Sequence, residues 1–231
     1  MRMTASVAFG LSLCAGPALA GGAVRGVVKY TGDPPALEKI EVAQDPETCG
    51  AHAIFPEDLL VSKDGGLRNV VLTIEDVKGG KTLEVPSAPI VFDQKECVFT
   101  EHVAVVPAGA KVDFRNSDPV VHNVHVFSRK NTPFNRDIQP GKHFVYAVDR
   151  SEKIRVTCDR HPWMKAYVIA VDTPYWAKSG EDGAFTIADL PPGKYTITTW
   201  HESVGKGPSV EVVVPASGDA PPVEIEFAPK G

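Results

Sequence analysis

The sequence predicts an all-β protein of the sandwich or barrel kind. Three observations carry that expectation. Glycine and proline are plentiful, at 20 each. No long stretch holds a 3.6-residue apolar period. Short alternating runs recur instead between turn signals, at residues 24–30, 39–43, 70–74, 103–106, 111–114, 124–127, 144–148 and 195–200. Regular spacing of this kind fits a sandwich or barrel.

In chain order, residues 1–20 read as a secretory signal. Arg2 gives the positive start, residues 5–15 the apolar run, and Ala18-Leu19-Ala20 an A-x-A cleavage site. The apolar run is too short to span a bilayer. No later segment is long and apolar enough to do so, so no transmembrane segment is expected. The product is expected in the periplasm or otherwise exported, with roughly 210 residues, enough for one large or two small domains. Losing Arg2 takes the formal charge from −5 to −6. That mild acidity argues against nucleic acid as a partner.

The most informative stretch is Thr157-Cys158-Asp159-Arg160-His161-Pro162-Trp163-Met164. It places a thiolate, an imidazole and a thioether in the spacing Cys-x2-His-x2-Met. Soft, redox-active copper prefers those three donors, whereas zinc more often recruits further Cys, His or carboxylate ligands. Ile154, Val156 and Cys158 alternate, so a strand leads the thiol to the rim of a β-core. Pro162 then ends the strand, and the short loop can fold His161 and Met164 back. A buried structural thiol beside an ordinary turn would look similar. Against it, Met164 is the only methionine outside residues 1–20.

A fourth ligand is sought in residues 116–127. Asn116 to Pro119 form a turn and an apolar strand follows. His122, Val124 and Val126 share one face of it, and Asn123, His125 and Phe127 the other. His122 and His125 therefore cannot both face one metal on a regular strand. His122, at the strand's mouth, is the better candidate. His125, like His52, His102, His143 and His201, reads as a structural or surface histidine.

Outside residues 1–20 the cysteines are Cys49, Cys97 and Cys158. An oxidising compartment would pair two and leave one. If Cys158 is a metal thiolate, Cys49 and Cys97 form the bridge; three free thiols is the alternative.

His122-Asn123-Val124-His125, followed by Cys158-x2-His161-Pro162-x-Met164, resembles the amicyanin and plastocyanin group of cupredoxins across residues 103–171. The resemblance implies a Greek-key β-sandwich with one type 1 copper per chain. His122, Cys158 and His161 would be the equatorial ligands and Met164 the weak axial one. Asn123 would tie the two ligand loops together. His161 would present its ring edge near the surface, with Pro162 and Trp163 forming an apolar docking patch for a redox partner protein. An alternative has Trp163 packed inward against the C-terminal module.

The last residues carry a second resemblance. Asp182-Gly183-Ala184-Phe185 and Leu190-Pro191-Pro192-Gly193-Lys194-Tyr195-Thr196-Ile197 look like a carboxypeptidase regulatory-like, prealbumin-type β-sandwich, usually non-catalytic. The expected division is a cupredoxin-like unit with an N-terminal extension at 21–172, then the second module at 173–231. The alternative completes the second module with residues 22–45. The expected function is a periplasmic, non-enzymatic copper electron carrier. Copper delivery, or an exported adaptor that binds polysaccharide or protein, are the alternatives.

Overall fold

Strands form where alternate residues can reach a core while their neighbours stay in water. A computed structural model describes residues 21–229; the expected signal at 1–20 lies outside the described residues. In chain order these form β1 (Gly22–Tyr30), a helical turn α1 (Pro46–Cys49), β2 (Val71–Thr73), β3 (Ile90–Lys95), β4 (Val98–Phe99), β5 (Val103–Pro107), β6 (Ala110–Asn116), β7 (His122–Phe127), β8 (Phe134–Ile138) and β9 (His143–Val148). Then come β10 (Glu152–Thr157), β11 (Lys165–Val171), β12 (Trp176–Lys178), β13 (Ala184–Leu190), β14 (Gly193–His201), β15 (Gly205–Lys206), β16 (Val210–Val214) and β17 (Val223–Phe227). The protein is an all-β sandwich fold. Strand β10 shows the rule: Ile154 and Val156 are buried while Lys153 and Arg155 are exposed.

The first sandwich spans residues 90–171. Its sheets run β4-β3-β6-β9 and β5-β11-β10-β7-β8. They share one core, which includes Phe92, Val112 and Phe114 from the first and Val124, Ile154 and Val168 from the second. Phe92 meets Phe114 edge-on at 5.4 Å between ring centroids, and Phe134 meets Phe144 at 4.8 Å. Such edge-to-face pairs add to the area they bury.

The second sandwich joins the two ends of the chain. Strand β1 is antiparallel to β13 and parallel to β17. Strand β2 lies between β12 and β14. A cut after Asp172 would therefore separate β1 and β2 from the strands they pair with. Val24, Val28, Leu67, Leu72 and Ile74 share this second core with Ile187, Ile197 and Ile225. Residues 31–45 add no strand to it. Ile40 and Val42 pack instead against the first core. The strand expected at 39–43 is absent: Ile40 N donates to Ile54 O at 2.8 Å, but no ladder follows. Its alternation reflects one-sided packing rather than pairing.

Strand β11 is the common wall. Ala166, Val168 and Ala170 face the first core. Ile169 and Val171 face outward and form a third cluster with Val103 and Val71, covered by Tyr167, Trp176 and Trp200. Among the described residues no helix is long and apolar enough to cross a membrane.

Candidate metal centre

Three elements bring the donor atoms together. His122 opens β7, and strand parity turns it inward with Val124 and Val126. Cys158 follows directly on β10, and the loop after it closes on itself. Cys158 N donates to Met164 O at 3.1 Å, and Met164 N donates to His161 O at 2.9 Å. His122 and His161 are fully buried, Met164 is 1% exposed and Cys158 2%.

The donor geometry converges. His122 Nδ1 lies 2.9 Å from His161 Nδ1. Cys158 Sγ lies 3.6 Å from His161 Nδ1. One donor atom from each of the three residues lies within 4.8 Å of the other two. Each ring's other nitrogen meets a carboxylate: His122 Nε2 is 2.7 Å from Asp118 Oδ2, and His161 Nε2 is 2.9 Å from Asp45 Oδ2. A carboxylate on the far nitrogen fixes ring orientation and tautomer, leaving the near nitrogen free to ligate. The Met164 side chain belongs to the same core. Two imidazoles, a thiol and a thioether form a donor set that fits copper. A second grouping, Cys97, Asp118 and His122, is also close. It offers no thiolate, because Cys97 is bonded to Cys49.

Asp118 is fixed by a strained turn. Glu96 and Cys97 both have φ of 57° and join β3 to β4 as a two-residue hairpin loop. Non-glycine residues in that region cost energy unless their surroundings hold them. Here the Asp118 carboxylate accepts Glu96 N at 2.7 Å and Cys97 N at 2.8 Å. Asn116 Oδ1 in turn accepts Asp118 N at 2.9 Å, and its amide donates to Val120 O and Ile138 O at 2.8 Å each.

Asp45 arrives differently. It precedes α1 with φ of 46°, and its side chain does not cap the turn. The carboxylate is directed at His161 instead. The disulfide Cys49–Cys97, with Cα atoms 5.3 Å apart, ties this strap, residues 31–58, to the β3–β4 loop. Trp163 Nε1 donates to Cys97 O at 2.9 Å, so the loop tryptophan also packs on the strap's anchor. A groove of about 200 Å³ beside it is lined by Ile40, Ile54, Phe55 and Phe99.

This corrects the expected exposure of the His161 ring edge. The His161 ring edge is buried, because Asp45 stands where solvent would be. Pro162 is exposed but Trp163 is only partly so. Trp163 packs against the first core. Asn123 links β7 to the loop after β10: its N–H donates to Cys158 Sγ at 3.3 Å, and its Oδ1 accepts Asp159 N at 3.2 Å. His125 sits on the outer face, where Nδ1 is 3.0 Å from Asp159 Oδ1.

The electrostatics favour a thiolate. Burial pushes the Cys158 thiol up, but hydrogen bonds from His122, His161 and the Asn123 amide bring it down to about 6. Burial likewise disfavours charge on His122, yet Asp118 and Cys158 hold its pKa above the ordinary value. Burial opposes ionisation of Asp118 too, and is outweighed by His122 and the two turn amides, so its pKa is lowered.

Sequence reasoning missed Asp118 and Asp45. Asp118 had a local signal, since Asn116-Ser117-Asp118-Pro119 is a turn four residues before His122. Asp45 had none, because it lies 116 residues from His161.

Residues 163–219 match the family described as polysaccharide lyase family 4, domain II. That match lies on the second sandwich and the strand before it, where the residues resembled a carboxypeptidase regulatory-like module. No curated protein matches the chain. Solved structures with similarity include a copper-containing nitrite reductase from Thermus scotoductus (22% identity, 42% of this chain, 25% of that chain, TM-score 0.36). A purple cupredoxin from Nitrosopumilus maritimus gives 20% identity over 37% of this chain and 100% of that chain, with TM-score 0.32. Amicyanin from Paracoccus versutus gives 19% identity over 43% of this chain and 97% of that chain, with TM-score 0.33. The chain thus spans a quarter of the nitrite reductase and nearly all of the two small cupredoxins.

Proposed function

We propose that the protein is an exported, non-enzymatic electron carrier that holds one copper ion through His122, Cys158, His161 and Met164. The observation that carries this is the convergence of two Nδ1 atoms and one Sγ within 4.8 Å in a fully buried site. Copper, when bound, would supply a one-electron couple whose potential is set by the thiolate and a weak thioether. The chain's own residues do the rest. Asp118 and Asp45 orient the two imidazoles, and the Asn123 N–H steadies the sulfur. Two strands and one closed loop hold the ligands, so little movement accompanies a change of charge.

Burial supports transfer of electrons over delivery of metal. A delivery site has to pass its ion to another protein, and all four residues here are at most 2% exposed. Voltammetry of the copper-loaded protein tests the reading. A reversible one-electron wave at one copper per chain is expected. Rapid loss of copper to a mild chelator, without a reversible wave, would favour delivery.

A second reading, polysaccharide contact by the second sandwich, has one observation behind it. A cleft of about 540 Å³ between the sandwiches is lined by Trp200, Thr73 and Thr198, with Lys130, Lys153 and Lys206 balanced by Glu75, Glu152 and Asp172. An aromatic ring beside hydroxyl and mixed-charge groups suits a neutral sugar. Retarded migration in gels cast with a neutral polysaccharide, lost in Trp200→Ala, would support it; unretarded migration would remove it.

A further inference from the structure

The second sandwich reaches the ligand loop through one buried carboxylate. Glu202 follows β14, and its side chain is 2% exposed. Its Oε2 lies 2.9 Å from Lys165 Nζ, and its Oε1 pairs with His102 Nε2. A buried carboxylate is costly unless it is paired, so this placement is strongly determined. Lys165 is the residue directly after Met164 and opens β11, opposite Thr157. Asp58, on the strap, pairs with the same ammonium. Ser203 Oγ donates to Asp58 O, which locks the strap to the second sandwich. His102 also lies 3.6 Å from Glu57 Oε2. Three separate parts of the chain therefore meet at the residue beside the thioether.

We propose that Glu202 is a positioning residue for the metal centre: through Lys165 it fixes the backbone that carries Met164, so the second sandwich sets the placement of the thioether. This rests on the copper reading, but part of its test does not need copper. The proposal gives the second sandwich a role in the site without making it a ligand. It also explains why a carboxylate from a distant strand is buried among groups that have no other shared task.

The test is Glu202→Gln in the full chain, which keeps the shape and removes the charge. Met164 is the only methionine outside residues 1–20, so its methyl signal is readily picked out, and its loss in Met164→Leu assigns it. In the copper-free protein, Glu202→Gln is expected to shift or broaden the Met164 methyl signal. In the copper-loaded protein it is expected to shift the reduction potential with copper stoichiometry unchanged. Glu202→Asp should restore both in part. Glu224→Gln, which removes an exposed partner of Lys29, should change neither. A wild-type methyl signal and potential in Glu202→Gln, with only a lower melting temperature, would overturn the proposal. Should that variant fail to fold, Lys165→Gln removes the ammonium that pairs with Glu202 and Asp58 and is read by the same two signals. If the wild-type protein takes up no copper, the copper reading fails, and the methyl signal still decides whether Glu202 positions Met164.

Discussion

His122 and His161 turn the same ring nitrogen toward the same point, and each passes the other nitrogen to an aspartate. The two aspartates stand in different surroundings. Asp118 is 7% exposed and accepts two backbone amides besides His122. The Asp45 side chain is 47% exposed, and its contact with His161 is a single hydrogen bond. Asp118 belongs to the β-sandwich itself. Asp45 is carried in by a strap held by the Cys49–Cys97 disulfide. One half of the site is thus built into the sheet framework, and the other half depends on a covalent tether.

The comparison can be broken by cutting the tether. The bridge spans 48 residues, so replacing both cysteines with alanine should cost about 4 kcal/mol of stability on the chain-entropy account. Urea unfolding of the copper-free protein measures the loss. The same variant should speed hydrogen exchange at the His161 ring and leave His122 slow. If both rings stay equally protected, the strap holds Asp45 without its tether and the contrast is wrong.

The next effect falls on Asp118. Asp118→Ala strands two amides and a buried imidazole, a loss of roughly 3 kcal/mol. Trp163→Phe removes the hydrogen bond to Cys97 O while keeping most of the ring, and should cost about 1 kcal/mol. Asp45→Ala should cost least, under about 1 kcal/mol, because its carboxylate is half in water. Unfolding midpoints that rank Asp45→Ala level with Asp118→Ala would show the two aspartates to be equivalent.

The grouping of His122, Cys158, His161 and Met164 was legible because local spacing encodes it. Cys158, His161 and Met164 lie within one short loop, and strand parity alone separates His122 from His125. The Cys49–Cys97 pair was legible only by assigning Cys158 elsewhere. The pairing of β1 with β13 and β17 was legible only as the alternative in which residues 22–45 complete the second module, because nothing within 22–30 by itself records which distant strands it meets. The alternation at 39–43 misled for a related reason: Ile40 and Val42 answer to a core, and a core face needs no ladder. Asp45 and Glu202 were invisible because their partners lie 116 and 37 residues away, and a lone acidic residue carries no signal of its own.

Copper binding by His122, Cys158 and His161 through a thiolate is tested by the visible spectrum of the protein titrated with Cu(II), beside Cys158→Ser. An intense thiolate-to-copper band that saturates at one ion per chain, and is absent in Cys158→Ser, is expected. A colourless wild-type complex, or an equally intense band in Cys158→Ser, would contradict it.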